Sequence, residues 1–172
     1  DQWHARLASL GPGLKIGVAW RGGRLPRDRR VRWTDPAAWS VVAKAVPAHW
    51  ISLQHDVGPE EVAQASDDFG APIHTWNDFA PHRDIDRLAA LISSLDLVLA
   101  VGNAAVHFAG ALDVPAWTLL PAFDGWRWIL GREQALWYRS VQIYRQQQPG
   151  DWQPLFERVA ADLVKFADRA RR

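Results

Sequence analysis

Arginine is concentrated in one short segment of the chain, and this is its clearest chemical feature. The segment 21–32 contains Arg21, Arg24, Arg27, Arg29, Arg30 and Arg32 and a single acid, Asp28, which gives it a charge of +5. Since the chain carries +1 in total, the remaining residues sum to −4. Guanidinium groups bind phosphate oxygens through paired hydrogen bonds and do not lose their charge. The segment therefore predicts a phosphate-binding loop, with a solvated run of charge as the alternative.

A second candidate site lies where an apolar run passes through Gly102 and Asn103 into small residues that start with Ala104. The pattern predicts a strand followed directly by a helix. Amides in the first turn of a helix have no acceptor within the helix, and small side chains allow a diphosphate to approach them. The alternative is purely structural, a tight turn and an N-cap. His107 follows in the same helix, where a lone histidine among apolar neighbours is more typical of a hydrogen-bonded core residue than of a catalyst.

Composition and spacing exclude several other kinds of chemistry. The 172 residues include no cysteine, which excludes disulfides, thiolate metal sites and cysteine nucleophiles. The six histidines form no metal-binding pattern, and neither a Walker A sequence nor a GxSxG motif is present. The sequence pI of about 8.4 is below the value of about 9 typical of nucleic-acid-binding domains. No apolar run approaches the roughly 18 residues of a membrane span and no signal peptide is visible, so we expect a cytoplasmic protein.

The elements that must position these residues alternate along the chain. Apolar runs predict strands over 14–20, 50–54, 73–76, 97–101, 116–120 and 141–144. Capping residues and apolar stripes predict helices over 35–45, from 58, over 84–94, over 103–112 and from 151. Short apolar strands between helices are typical of a parallel sheet covered on both faces. We therefore expect one Rossmann-like, three-layer α/β domain with about six mostly parallel strands over 14–172, and a linker or the end of a preceding helix over 1–13.

Ligands of such sheets bind beyond the carboxyl ends of the strands. The predicted strand ends fall at Trp20 and Arg21, at Gln54, at Gly102 and Asn103, and at the segment 121–128. The polar and aromatic residues of the chain concentrate at these junctions. This coincidence is the main indication of function that the residue pattern provides.

Several motifs occur together in a characteristic order. They are LKIGVAW at 14–20, ISLQ at 51–54, AAVHFAGALDVP at 104–115, DGWRW at 124–128, Trp137-Tyr138 and Tyr144-Arg145-Gln146. As an ordered set they resemble the C-terminal domain of bacterial family 9, heptosyltransferase-like glycosyltransferases. The resemblance is to the form fused behind tetratricopeptide repeats, and it extends from residue 14 to about residue 163. It implies the C-terminal half of a GT-B fold.

The resemblance also implies a function, the binding of a nucleotide-diphosphate sugar and stabilisation of the diphosphate as it leaves. Gly102, Asn103, Ala104 and His107 would face the diphosphate. The segment with Trp20, Arg21 and Arg32 would reach the phosphates or the sugar. Gln54 would contact the base or the ribose. Asp124, Trp126 and Arg127 match a family element, although Gly125 intervenes here. Arg21 and Arg127 are the expected leaving-group stabilisers.

The same resemblance implies what must come from elsewhere. The general base and the contacts to a protein or glycan acceptor would belong to an N-terminal domain, expected together with tetratricopeptide repeats. No metal or other cofactor is expected.

Two departures from the family pattern keep other functions open. Relatives usually carry an aspartate and then threonine or serine where this chain has Gly102 and Asn103, and a glycine where it has Asp113. Loss of that acid removes a polar anchor from the centre of the site. A non-catalytic binding or scaffolding module is therefore the second hypothesis. Nucleic-acid binding is the third, because Arg21-Gly22-Gly23 between Trp20 and Trp33 resembles the basic and aromatic pattern of such proteins.

Overall fold

A single parallel sheet forms the centre of the computed structural model, which describes residues 2–22, 32–80, 83–123 and 126–170. Its strands are β1 (Leu14–Ala19), β2 (Ala48–Ser52), β3 (Ile73–His74), β4 (Leu97–Val101), β5 (Ala116–Leu120) and β6 (Val141–Arg145). They lie in the order β3-β2-β1-β4-β5-β6, and every neighbouring pair is parallel. All residues of β4 and β5 are buried, as expected for central strands covered on both faces. The predicted fold class is confirmed.

Helices cover both faces of this sheet. They are α1 (Gln2–Ala8), a 3₁₀ helix (Pro36–Trp39) continued by α2 (Ser40–Ala43), α3 (Pro59–Phe69), α4 (Ile85–Ile92), α5 (Ala104–Ala111) and α6 (Gln153–Ala170). One apolar core joins the sheet to α2, α3 and α6, and contains Trp39, Trp50, Phe69 and Phe156. A second core joins the other face to α1, α4, α5 and the segment after β5. No helix among the described residues has both the length and the apolar character needed to cross a membrane.

The local signals in the sequence form as predicted, with shifts at the element ends. Asp35 caps the 3₁₀ helix by accepting from the Ala37 amide at 3.0 Å, and Asp84 caps α4 by accepting from Arg87 at 2.9 Å. The second strand was expected over 50–54 but runs over 48–52, because Ala48 pairs with Leu14 of β1. The third strand ends at 74 instead of 76, and α6 begins at 153 instead of 151.

The helix α1 lies before the first strand and packs on the domain. In α1, Trp3 is buried and its ring lies 5.1 Å from the ring of Trp76 and 4.9 Å from that of Phe79, in edge-to-face contacts. Arg6 donates two hydrogen bonds to the carboxylate of Asp78, at 2.8 and 2.6 Å. These bonds lower the pKa of Asp78 to about 2. Aromatic packing and a bidentate ion pair therefore hold α1 against the segment after β3.

The connections after β1 and β4 leave the sheet on opposite faces. The chain after β1 enters the core of α2, α3 and α6, while α5, which follows β4, belongs to the other core. Since β1 and β4 are neighbours in the sheet, the direction of the connections reverses between them, and doubly wound sheets have their ligand crevice at such a point. This switch point is the place where a doubly wound sheet binds its ligands.

The central strands should determine the stability of the domain. Replacing Leu99, fully buried in β4, with alanine should lower the free energy of unfolding by about 2–5 kcal/mol, because it removes apolar burial and leaves a cavity. Val164→Ala, at a position that is 41% exposed on α6, is the control and should change it by less than about 0.5 kcal/mol. Urea denaturation followed by circular dichroism measures both. Equal midpoints for the two variants would contradict the assignment of β4 to the core.

Candidate functional site at the sheet switch point

The backbones that follow β1 and β4 touch at the crevice. A Cβ atom added to Gly22 would lie 2.9 Å from the carbonyl oxygen of Gly102, so glycine is required for this approach. Asn103 connects the same two segments. Its Oδ1 accepts from the Ala105 amide at 3.0 Å, which caps α5, and its Nδ2 donates to the carbonyl oxygen of Arg21 at 3.3 Å. The helix start therefore forms as predicted, and Asn103 also ties it to the end of β1.

Arg21 lies just beyond the carboxyl end of β1 and is held by three neighbouring residues. Its backbone amide donates to Oε1 of Gln54 at 2.9 Å. Its guanidinium pairs with Glu61, in the first turn of α3, at 2.5 Å and lies 4.7 Å from the centre of the Trp33 ring. The Trp33 indole in turn donates to the carbonyl oxygen of Gly22 at 3.1 Å. A charged guanidinium thus stands at the switch point with a carboxylate on one side and an aromatic ring on the other.

Two of the expected binding residues have structural roles here. The Trp20 side chain lies in the core, and its carbonyl oxygen accepts two hydrogen bonds from Thr34, at 3.1 Å from the amide and 2.7 Å from the hydroxyl. Gln54 is buried, and besides accepting from Arg21 it donates from Nε2 to the carbonyl oxygen of His55 at 3.3 Å. Both residues position the loops at the carboxyl edge of the sheet.

Two cavities open beside these loops. A cleft of about 600 Å³ lies at the carboxyl ends of β2 and β3, with Gln54, Asp56, Trp76, Asn77 and Arg83 among its lining residues. A smaller pocket of about 220 Å³ lies between α4 and the first turn of α5. Its lining is mainly apolar and comprises Leu53, His55, Ile85, Leu88, Asn103, Ala104, Ala105 and Phe108. The edge therefore offers an apolar pocket directly beside the N-terminus of α5.

His107 packs against the segment that follows β5. Its ring stacks on buried Trp128 with the ring centres 5.2 Å apart, and its Nδ1 lies 3.3 Å from the hydroxyl oxygen of Tyr138. Burial lowers the pKa of His107, and the positive charge of Arg127 lowers it further. The imidazole is therefore a neutral packing group that joins α5 to the segment 121–140, in agreement with the core interpretation.

The strand β6 secures the segment that carries the other expected binding residues. Arg145 donates to the carbonyl oxygens of Pro121 at 3.3 Å and Trp128 at 2.5 Å, and Oε1 of Gln146 accepts from the Ala122 amide at 3.3 Å. Within this segment the Trp126 side chain is 72% exposed, and the Arg127 guanidinium lies 4.8 Å from its ring centre. The structure thus keeps an arginine and a tryptophan exposed on an anchored loop.

Arg32 is the last arginine of the segment 21–32, and it is half-buried. The predicted site residue Asp124 and the other arginines of the segment, Arg24, Arg27, Arg29 and Arg30, lie outside the described residues. In the described part of the chain, no three histidine or carboxylate side chains come together as metal ligands. The absence of a metal requirement stays a prediction.

Sequence reasoning missed the contacts that join distant segments. Glu61 lies in the first turn of α3, and its ion pair with Arg21 depends on how α3 packs. Tyr138 belongs to a quoted motif, but its contact with His107 depends on the path of the segment after β5. Spacing along the sequence contains no signal for either contact.

The strand order and the crevice between β1 and β4 define a doubly wound α/β domain similar to the domains of GT-B glycosyltransferases. It is similar to the ADP-heptose LPS heptosyltransferase II of Escherichia coli, with a TM-score of 0.67 and 11% identity, over 100% of this chain and 53% of that one. It is also similar to a family 9 glycosyl transferase from Veillonella parvula, with a TM-score of 0.56 and 12% identity, over 98% and 51% of the two chains. At these identities the similarity establishes the fold.

One curated relative matches by sequence. Protein FlbA of Caulobacter vibrioides is 34% identical over 165 residues, which is 96% of this chain and 27% of FlbA. The chain therefore spans about a quarter of the length of this relative and about half of the two glycosyltransferases. No protein-family model matches the sequence.

The packing of Tyr138 on α5 should be sensitive to one added methyl group. A Cβ at Gly110 would lie 2.4 Å from Cγ of Tyr138, so Gly110→Ala should displace the ring and lower the free energy of unfolding by about 1–3 kcal/mol. Ala111→Ser, at the next and exposed position of α5, is the control and should change it by less than about 0.5 kcal/mol. Urea denaturation measures both. A fully stable Gly110→Ala variant would contradict the close packing of Tyr138 on the helix.

Stability should depend on pH through His107. Because the folded state lowers its pKa, this group favours folding above its unfolded value of about 6.5, and that contribution is lost as the pH falls below 6.5. The free energy of unfolding of the wild-type protein should therefore decrease from pH 7.5 to pH 5.5 by more than that of His107→Gln. Denaturation curves at the two pH values measure the difference. An identical decrease in both proteins would contradict a neutral, half-buried imidazole.

Proposed function

We propose that this domain binds a nucleotide-diphosphate sugar at the switch point and stabilises the diphosphate during glycosyl transfer. The observation that carries the proposal is that Asn103 joins the Arg21 backbone to the capped start of α5 and also lines the apolar pocket beside that helix. A diphosphate needs positive charge and backbone donors, while an aromatic base needs an apolar pocket beside them. The GT-B-like fold supports the same ligand class, since the solved neighbours are glycosyltransferases.

Within this proposal, the residues divide the work by chemistry. Arg21 and the first-turn amides of α5 would stabilise the charge that develops on the departing diphosphate. The side chains at the start of α5 are small, so the phosphates can approach its backbone. The pocket lined by Leu53, Leu88 and Phe108 would take the base. Arg127 on its anchored loop would add positive charge from the β5 side.

In this proposal, a complete transferase also needs catalytic groups from outside this domain. Glycosyl transfer requires a general base near the acceptor hydroxyl, which we expect from a separate N-terminal domain. Four expectations stay predictions: that N-terminal domain, its tetratricopeptide repeats, the protein or glycan acceptor and the cytoplasmic location. The domain by itself should bind nucleotide weakly and transfer no sugar.

A non-catalytic interaction module is the second candidate, and one surface favours it. The segment between β5 and β6 exposes six large apolar side chains, namely Phe123, Trp126, Ile129, Leu130, Leu136 and Trp137. Concentrated exposed apolar groups are typical of interaction surfaces. Nucleotide binding distinguishes the candidates, because a scaffold that had lost its chemistry would have no need of it.

Calorimetric titration with UDP, GDP and ADP and with their sugar conjugates tests the donor-domain proposal. We expect weak but measurable binding of at least one nucleotide. Arg21→Ala should weaken it by about ten- to a hundredfold, because a charge-assisted hydrogen bond contributes about 1.5–3 kcal/mol. Arg169→Ala, which removes a positive charge near the end of α6, is the matched control and should leave the affinity unchanged. If no nucleotide binds the wild-type protein at millimolar concentration, the proposal is wrong and the interaction module replaces it.

A further inference from the structure

The Glu61 carboxylate already binds the Arg21 guanidinium, which is the positive group that an anionic ligand would need. The two side chains approach to 2.5 Å beyond the carboxyl end of β1, where the Arg21 side chain is 20% exposed and that of Glu61 is 43% exposed. The pair joins the end of β1 to the first turn of α3, and so it borders the switch point. An anion that reaches the Arg21 guanidinium meets the Glu61 carboxylate beside it.

From this arrangement we infer that Glu61 is an affinity-determining residue, an internal carboxylate that an incoming diphosphate must displace from Arg21. The inference rests on the proposed function, since it concerns the same crevice. Carboxylate and phosphate bind guanidinium through the same paired geometry, so they compete for the same donors. Glu61 also repels an anion that approaches without displacing it.

Two further contacts show why Arg21 would remain usable after Glu61 moves away. Its guanidinium lies 4.7 Å from the centre of the Trp33 ring, which supports it from a different direction. The Arg21 backbone is held separately, through its amide on Gln54 and its carbonyl oxygen on Asn103. Loss of the ion pair would therefore expose the charge without releasing the residue. The partly exposed Glu61 side chain can turn toward solvent, which is the movement that displacement requires.

As a consequence, the site binds anions more weakly than it would if Glu61 did not pair with Arg21. A ligand with two phosphate groups can offset the loss of the ion pair more readily than one with a single charge. Glu61 would therefore favour diphosphates over simple anions such as chloride or a lone carboxylate. An uncharged nucleoside would not be affected by Glu61, because it does not use the guanidinium.

Substitution of Glu61 tests the inference directly. Glu61→Gln should bind ADP and inorganic pyrophosphate about two- to tenfold more tightly than the wild-type protein, as expected when a competing exposed ion pair is removed. Its affinity for adenosine should not change. Calorimetry with the three probes, ADP, pyrophosphate and adenosine, measures the effect.

Two controls separate competition from other causes. Glu60→Gln removes a negative charge from the same helical turn but leaves the Arg21–Glu61 pair, and it should bind like the wild-type protein. Both variants lose the same favourable interaction with the helix dipole, so a change in α3 stability would affect them equally. In an Arg21→Ala background, Glu61→Gln should no longer tighten pyrophosphate binding, since the guanidinium is gone.

The outcomes distinguish this inference from the function on which it rests. Wild-type binding of ADP with no gain in Glu61→Gln, or an equal gain in Glu60→Gln, would overturn the inference and leave the donor-domain proposal standing. A gain that persists in the Arg21→Ala background would also overturn it. Failure of both the wild-type protein and Glu61→Gln to bind any of the probes would overturn the inference together with the proposed function.

Discussion

The candidate site depends on one constraint, the pairing of two neighbouring parallel strands whose connections leave on opposite faces of the sheet. β1 and β4 lie side by side, but the chain after β1 enters one core and α5 enters the other. In sheets of this topology, the ligand crevice lies at the carboxyl ends of such a strand pair. The close approach of Gly22 to Gly102 sets how near the two loops come. Asn103 then fastens them to each other.

Contacts between distant segments determine how the charged side chains at the switch point are paired. Arg21 carries the positive charge that a phosphate ligand requires, yet in the folded protein a carboxylate from α3 already neutralises it in part. A tryptophan ring supports the guanidinium from another side. The β5 side of the site follows the same principle, because Arg145 uses two backbone carbonyl oxygens to hold the loop on which Arg127 is exposed. Arg145 thus anchors the loop through the backbone, while Arg127 on the same loop is exposed.

Much of the fold follows from local patterns. The all-apolar run at 97–101 is a strand at the same residues in the structure, because strands buried on both faces are typically near-continuous apolar runs. Asp35 caps the helix that it was expected to cap, and Asp84 caps α4, which was predicted to begin at this residue. The ends of β2 and β3 differ from prediction because strand limits depend on the neighbouring strand. Ala48 is a strand residue since it pairs with Leu14, which its own sequence context does not reveal.

By itself, the sequence determined the elements, the parallel sheet and the edge at which Arg21, Gly102 and Asn103 would gather. Those properties follow from apolar periodicity and capping, which act over a few residues. Only the tertiary structure decided which of these groups face the crevice. It placed Trp20 in the core, used Gln54 to hold the Arg21 backbone, stacked His107 on Trp128 and paired Arg21 with a glutamate forty positions away. Such contacts depend on how distant elements pack, and the separation of two residues in sequence does not show whether they lie close together in the folded protein.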